Sequence, residues 1–179
     1  MSDLNQQILI FDYDQNFRDL DFYVSKSNEF SFKLLNRWPK WEKNFINIIG
    51  EKFSGKSHLL SIFEQKFKAI KIYSNQLDDD FIKKIKPHQN IIIEDLTTDI
   101  NEDLLYTLIN IIDQENKYFI VTTTKPIVKY KFKSNDLNSR SKNFLLSTIE
   151  KPGDDLMYAL ILKNLSDRQI SIDKKLINF

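Results

Sequence analysis

The sequence predicts an α/β fold, three layers deep, with a five-stranded parallel sheet between layers of helix. Two observations carry that expectation. Short β-branched runs alternate along the chain with longer amphipathic segments, the pattern of strands joined by helical crossovers. Several of the runs are continuously apolar rather than alternating, as strands covered on both faces are. A chain of 179 residues that is 41% hydrophobic can bury such a core as one domain with a small appendage.

The elements follow in order. Residues 1–21 mix short apolar runs with Asp and Asn and read as an extended arm. Ser27 or Asn28 can cap a helix running through Phe30, Phe32, Leu34 and Leu35. Trp38-Pro39-Lys40-Trp41 ends it, because proline disfavours helix at the residue before it. Strands are expected at 45–49, 70–73, 90–94, 118–122 and 144–148. Helices are expected between them at 55–67, 79–85 and 101–114, the last with Leu104, Leu105, Leu108, Ile111 and Ile112 on one face. Pro152-Gly153 breaks the chain. A helix over 154–165 and the start of another at 173–179 then read as the beginning of a helical appendage. The expected divisions are therefore 1–21, 22–151 and 152–179.

Composition excludes several chemistries. There is no cysteine, so disulfides, thiolate metal sites and cysteine nucleophiles are absent. Two histidines, His58 and His88, make a histidine-rich metal site untenable. A net charge of +1 gives no support to general polyanion binding. The first residues lack a basic segment followed by an apolar run, and no run approaches a bilayer-spanning length. A cytoplasmic protein with no membrane partner is expected.

The chemistry concentrates at Gly50-Glu51-Lys52-Phe53-Ser54-Gly55-Lys56-Ser57, a full match to G-x-x-x-x-G-K-[ST]. Glycines let consecutive N–H groups curl inward at phosphate oxygens. Lys56 reaches the β- and γ-phosphates, and the Ser57 hydroxyl ligates Mg²⁺. The helix that follows, with His58 in its first turn, presents a partial positive charge to the anion. Two of the chain's three glycines fall at the two required positions, between an apolar strand and an amphipathic helix. ATP or ADP with Mg²⁺ is the ligand such a loop takes. Ile91-Ile92-Ile93 runs into Glu94 and Asp95. In this setting Glu94 holds the Mg²⁺ shell, reaching through a water because Glu is one methylene longer than Asp, and Asp95 is the base that activates water. Thr122-Thr123-Thr124 ends the fourth strand, where Thr124 is placed to sense the γ-phosphate or orient the water.

These motifs, taken with their neighbours, resemble the AAA+ P-loop NTPases related to the replication initiator DnaA, and most of all their short regulatory-inactivator (Hda-like) branch. The likeness covers most of the chain. Phe22 to Asn28, with Phe22 and Tyr23 at its head, is similar to the family segment that packs near the adenine. Arg37-Trp38-Pro39-Lys40-Trp41 matches closely, and Asp136-Leu137-Asn138-Ser139-Arg140 resembles the motif whose arginine reaches a neighbouring subunit's nucleotide. The resemblance implies that Arg140 acts in trans as an arginine finger on the initiator DnaA. Homo-oligomers are possible on the same grounds. The chain departs from the family in having Glu94-Asp95 for Asp-Asp, Thr124 where Asp is frequent, and Ser141 after Arg140. It also ends at Phe179, before the lid arginine and the DNA-binding domain of the initiator, so sequence-specific DNA binding is not expected.

Two rival readings stand beside this one. The first is a P-loop phosphotransferase acting on a small molecule, though the segment after Thr124 is lysine-rich and lacks an arginine-rich lid. The second is a non-hydrolysing interaction module with a vestigial nucleotide site. Lys125, Lys129, Lys131 and Lys133 interleave with Tyr130 and Phe132. This reads as a solvated segment with alternating faces, with stacking on nucleic-acid bases as the other possibility.

In the arm, Gln6-Gln7-Ile8-Leu9-Ile10-Phe11 fits Gln-x-x-Leu-x-Phe. It resembles the peptide by which these proteins dock on the DNA polymerase sliding clamp. Leu9 and Phe11 would enter an apolar pocket while the Gln6 amide bonds at its rim. Replacing Leu9 and Phe11 by Ala is expected to abolish clamp binding in a pull-down and to leave the circular dichroism spectrum unchanged. Undiminished binding would sink the clamp assignment.

Overall fold

The structure, a computed structural model, describes residues 22–167. The arm with Gln6, Leu9 and Phe11 and the helix expected at 173–179 lie outside the described residues. The rest forms a five-stranded parallel sheet in the order β2-β3-β4-β1-β5, with β1 Phe45–Ile49, β2 Ile70–Tyr73, β3 Asn90–Glu94, β4 Tyr118–Thr123 and β5 Leu145–Thr148. Helices α1 Glu29–Asn36, α2 Lys56–Phe67, α3 Asp79–Lys84, α4 Glu102–Gln114 and α5 Asn135–Arg140 are interleaved with the strands, and α6 Asp154–Asp167 follows them.

Strand alternation divides the core into two layers. Ile46, Ile48, Ile92 and Ile120 face α1, Trp41 and the Leu59, Leu60 and Phe63 face of α2. Ile91, Ile93, Phe119 and Val121 face α3, α4 and α5. Burial on both faces explains why β3 reads as an isoleucine run and why β1 is apolar but for Asn47. Amphipathic α4 follows its sequence pattern and is capped by Asn101, whose side chain accepts from the N–H groups of Asp103 and Leu104.

The Arg-Trp-Pro-x-Trp segment is a packing device. Trp41 stacks on Phe63 at 5.6 Å between ring centroids, and its indole N–H donates to the carbonyl of Leu34 at 2.8 Å. Trp38 packs on Phe67 and Tyr118. Together they lock α1 against α2 and the base of β4. At the other end of α1, Ser31 and Ser147 share a buried hydroxyl contact of 2.7 Å that fixes the helix to edge strand β5.

One buried polar residue interrupts β1. Asn47 donates to Thr123 Oγ1 at 2.8 Å and accepts from the N–H of Ile127 at 2.8 Å. It thereby pins the chain leaving β4. That chain makes a 3₁₀ turn over Ile127–Lys129 and then runs to α5. Lys125, Lys129, Lys131 and Lys133 are exposed, whereas Tyr130 and Phe132 are buried and stacked on each other at 6.0 Å. The alternation of faces matches the sequence pattern. The two rings are core residues and are unavailable to nucleic-acid bases.

Candidate nucleotide-binding site

β1 delivers the chain to Gly50 at the C-terminal edge of the sheet, where ligands bind in open α/β folds. The Gly50 N–H donates to the Thr123 carbonyl at 3.0 Å. A Cβ at this position would lie 2.5 Å from Ser54 Oγ and 3.1 Å from the Ile149 carbonyl, so close approach demands glycine. Gly55 has a φ of 94° and is the N-cap of α2. The loop between them curls round a cavity of about 410 Å³ lined by Lys52, Phe53, Ser54, Gly55, Lys56, Ser57, His58 and Asp95. The first turn of a twelve-residue helix thus opens onto it.

The Lys56 ammonium is buried and donates to the carbonyls of Gly50 at 2.8 Å and Glu51 at 2.7 Å. Burial pushes its pKa below the usual lysine value, against Asp95 and Glu94, which act to raise it. Ser57 Oγ donates to Glu94 Oε2 at 2.6 Å. This joins the start of α2 to the end of β3. Glu94 is 1% exposed, and its other oxygen lies 3.1 Å from Lys71 Nζ. Lys71 also contacts Glu64 Oε2 at 2.9 Å and Ser61 Oγ at 3.1 Å. Burial, the largest influence, acts to lower the Lys71 pKa. The hydrogen bonds and charges of Glu64 and Glu94 together outweigh it and hold the ammonium above its usual value.

Asp95 is exposed, borders the cavity and has a φ of 50°. Its N–H donates to Thr122 Oγ1 at 2.8 Å, so the buried Thr122 fixes the turn that aims it. Thr124, singled out in the sequence, is exposed beyond β4, near Tyr130, whose hydroxyl donates to the Leu96 carbonyl at 2.9 Å. Phe22 packs edge-on against His58 at 5.3 Å and stacks on Phe32 at 5.6 Å, beside Gly55. Tyr23 is exposed next to it. Arg140 lies elsewhere. With Asp113 at 3.6 Å and the Tyr106 ring 5.5 Å from its guanidinium carbon, it borders a small cavity with Phe45, at the opposite end of β1 from the loop.

The donor set at the cavity suits a divalent metal only in part. Among the described residues no three His, Cys, Asp or Glu side chains converge into a metal cluster. Mg²⁺ needs no such cage. It keeps its waters and takes one or two protein ligands beside nucleotide phosphates. Ser57 at the cavity wall with Glu94 behind it fits that requirement.

Sequence reasoning missed Lys71, and within Thr122-Thr123-Thr124 it chose Thr124 rather than Thr122. The signal for Lys71 was present: Ile70-Lys71-Ile72 puts a lysine on the face of β2 opposite two isoleucines, and Glu64 lies on the helix that covers that face. Thr122 carried no signal, because threonine is ordinary in strands.

No protein-family model matches the sequence. Among curated proteins, the chain is 23% identical over 185 residues to the chromosomal replication initiator protein DnaA of Borreliella afzelii (strain PKo). The match covers 88% of this chain and 38% of that protein, so the chain spans well under half of that relative's length. Two solved structures share its architecture. AMPPCP-bound DnaA from Aquifex aeolicus aligns with a TM-score of 0.70 at 17% identity, over 87% of this chain and 56% of that one. Domain III of the Thermotoga maritima replication initiation protein DnaA aligns with a TM-score of 0.71 at 18% identity, over 93% and 80%. The chain has the AAA+ fold of DnaA domain III. In this chain Gly50 to Ser57, Glu94-Asp95 and Thr122 to Thr124 come together at one edge of the sheet.

The loop carries strain at one residue. Phe53 is fully exposed with a φ of 64°, a left-handed conformation that a bulky L residue adopts only at a cost. It has no packing to lose. Phe53→Gly is therefore expected to raise the unfolding free energy by about 1 kcal/mol, as relieved strain outweighs the added freedom of the unfolded chain. Urea denaturation checks this, and a lowered midpoint would contradict it.

Proposed function

We propose that this chain binds ATP or ADP at residues 50–57 and serves as a regulatory AAA+ subunit in the control of replication initiation. The observation that carries the reading is the Ser57–Glu94 contact beneath a cavity of about 410 Å³ that Asp95 and the start of α2 also line. Backbone N–H groups from Lys52 to Ser57 would hold the phosphates, with the Lys56 ammonium as their fixed cation. Phe22 and Tyr23, beside His58 and Gly55, would meet the base. Ser57, with Glu94 behind it, would hold Mg²⁺, which supplies charge neutralisation across the phosphates when bound. Asp95 is the group that would take a proton from an attacking water, and Thr124 remains a candidate for orienting that water.

The regulatory part of the reading rests on Arg140. Its place at the far end of β1 removes it from its own loop, as a residue acting on another subunit's nucleotide requires. We take its partner to be a DnaA-type initiator. Docking on the sliding clamp through Gln6, Leu9 and Phe11, a core over 22–151 and a partial lid over 152–179 complete the reading. A cytoplasmic location suits it. Among the described residues no helix is long and apolar enough to cross a membrane.

Calorimetric titration with ADP tests the site. Lys56→Ala is expected to weaken binding at least about tenfold, the worth of one charge-assisted contact. Equal affinity of the variant and the native chain would remove the loop from the account. Arg140→Ala is expected to bind ADP normally and to fail to promote ATP hydrolysis by the initiator, measured as released phosphate. Stimulation equal to that of the native chain would refute the trans role.

A further inference from the structure

Glu94 lies where the metal shell of a phosphate-loop site would lean, yet it already has a cation. Lys71 reaches it from β2, the strand paired in parallel with β3. The register places Lys71 opposite Ile92 and Tyr73 opposite Glu94, so Lys71, Ile92 and Glu94 share the face covered by α2. The ammonium donates to Ser61 Oγ at 3.1 Å and pairs ionically with Glu64 Oε2 at 2.9 Å and Glu94 Oε1 at 3.1 Å, a buried oxygen otherwise without a hydrogen-bond partner. It is built into the site rather than sampled from solvent. Ser57 fills the other Glu94 oxygen at 2.6 Å.

Two consequences follow from the charges. A buried carboxylate is stable only when paired, and Lys71 meets that need without any metal. A divalent ion approaching Ser57 would also meet a fixed positive charge just behind the carboxylate meant to attract it. We propose that Lys71 is a resident counter-ion of the nucleotide site, supplying to Glu94 the positive charge a bound magnesium ion would otherwise supply, so that nucleotide binds this chain with little dependence on divalent metal. The inference rests on the reading of residues 50–57 as a nucleotide site. Lys71 is here a positioning residue, acting through Glu94.

The test is ADP titration of the native chain with Mg²⁺ and with EDTA, together with Mn²⁺ titration of the ADP complex followed by electron paramagnetic resonance. The native chain is expected to lose less than about threefold in affinity when metal is removed, well short of the factor one charge-assisted contact carries. Lys71→Met is expected to become metal-dependent by at least about tenfold and to take up Mn²⁺ more tightly, as Glu94 loses its competitor. If Lys71→Met does not fold, Lys71→Gln provides the second arm: it removes the positive charge beside Glu94, retains a polar group near Ser61 and Glu64, and is expected to shift both readouts the same way. A native chain whose ADP affinity falls about threefold or more in EDTA overturns the counter-ion role while leaving the nucleotide site standing. ADP binding in neither condition overturns both.

Discussion

The site depends on how one buried charge is satisfied. Glu94 ends the interior strand β3 with almost no exposure to water, and an unpaired carboxylate there would be untenable. Its two oxygens are answered from two elements, Ser57 at the start of α2 and Lys71 in β2. Consecutive elements α2 and β2 are thereby tied to the end of β3. Removing one partner of such a buried pair costs on the order of 3–5 kcal/mol, comparable with a large share of a small domain's stability. The same contact sets the chemistry, because Ser57 and the start of the helix are held where phosphates would meet them.

Around that contact the loop combines rigidity with strain. Gly50 is squeezed between Ser54 and the Ile149 carbonyl, and Gly55 takes a conformation suited to glycine. Phe53 and Asp95 hold left-handed backbones without being glycine. For Asp95 the surroundings explain it: Thr122 receives its N–H, and the turn directs the carboxylate to the cavity. Asn47 extends the arrangement one layer inward, joining β1 to Thr123 and to the turn at Ile127. The end of β4 is therefore fixed on both sides, by Thr122 toward Asp95 and by Thr123 toward Asn47.

Much of this was legible in the sequence because it rests on local rules. Strand and helix positions followed from continuous isoleucine runs and from the leucine spacing of α4, and the observed elements fall within a residue or two of those expected. The loop was legible because backbone curvature and phosphate contact demand particular residues at fixed spacing. What escaped was pairing across the fold. Lys71 meets Glu94 and Glu64 only because parallel register and helix placement bring together residues from β2, β3 and α2. The short helix α5 and the 3₁₀ turn before it were hidden in a lysine-rich stretch whose apolar spacing is too brief to show a period. Arg140 was legible as a motif, while its contacts with Asp113 and Tyr106 come from the packing of α5 on α4.

The central claim is that residues 50–57, backed by Glu94, form a nucleotide-phosphate cradle. Amide hydrogen exchange measured with and without millimolar ADP addresses it most directly, because the cradle is built from backbone N–H groups. The account predicts slowed exchange of the amides from Lys52 to Ser57, with the amides of α6 unaffected. Exchange in the loop that is the same with and without ADP would contradict it.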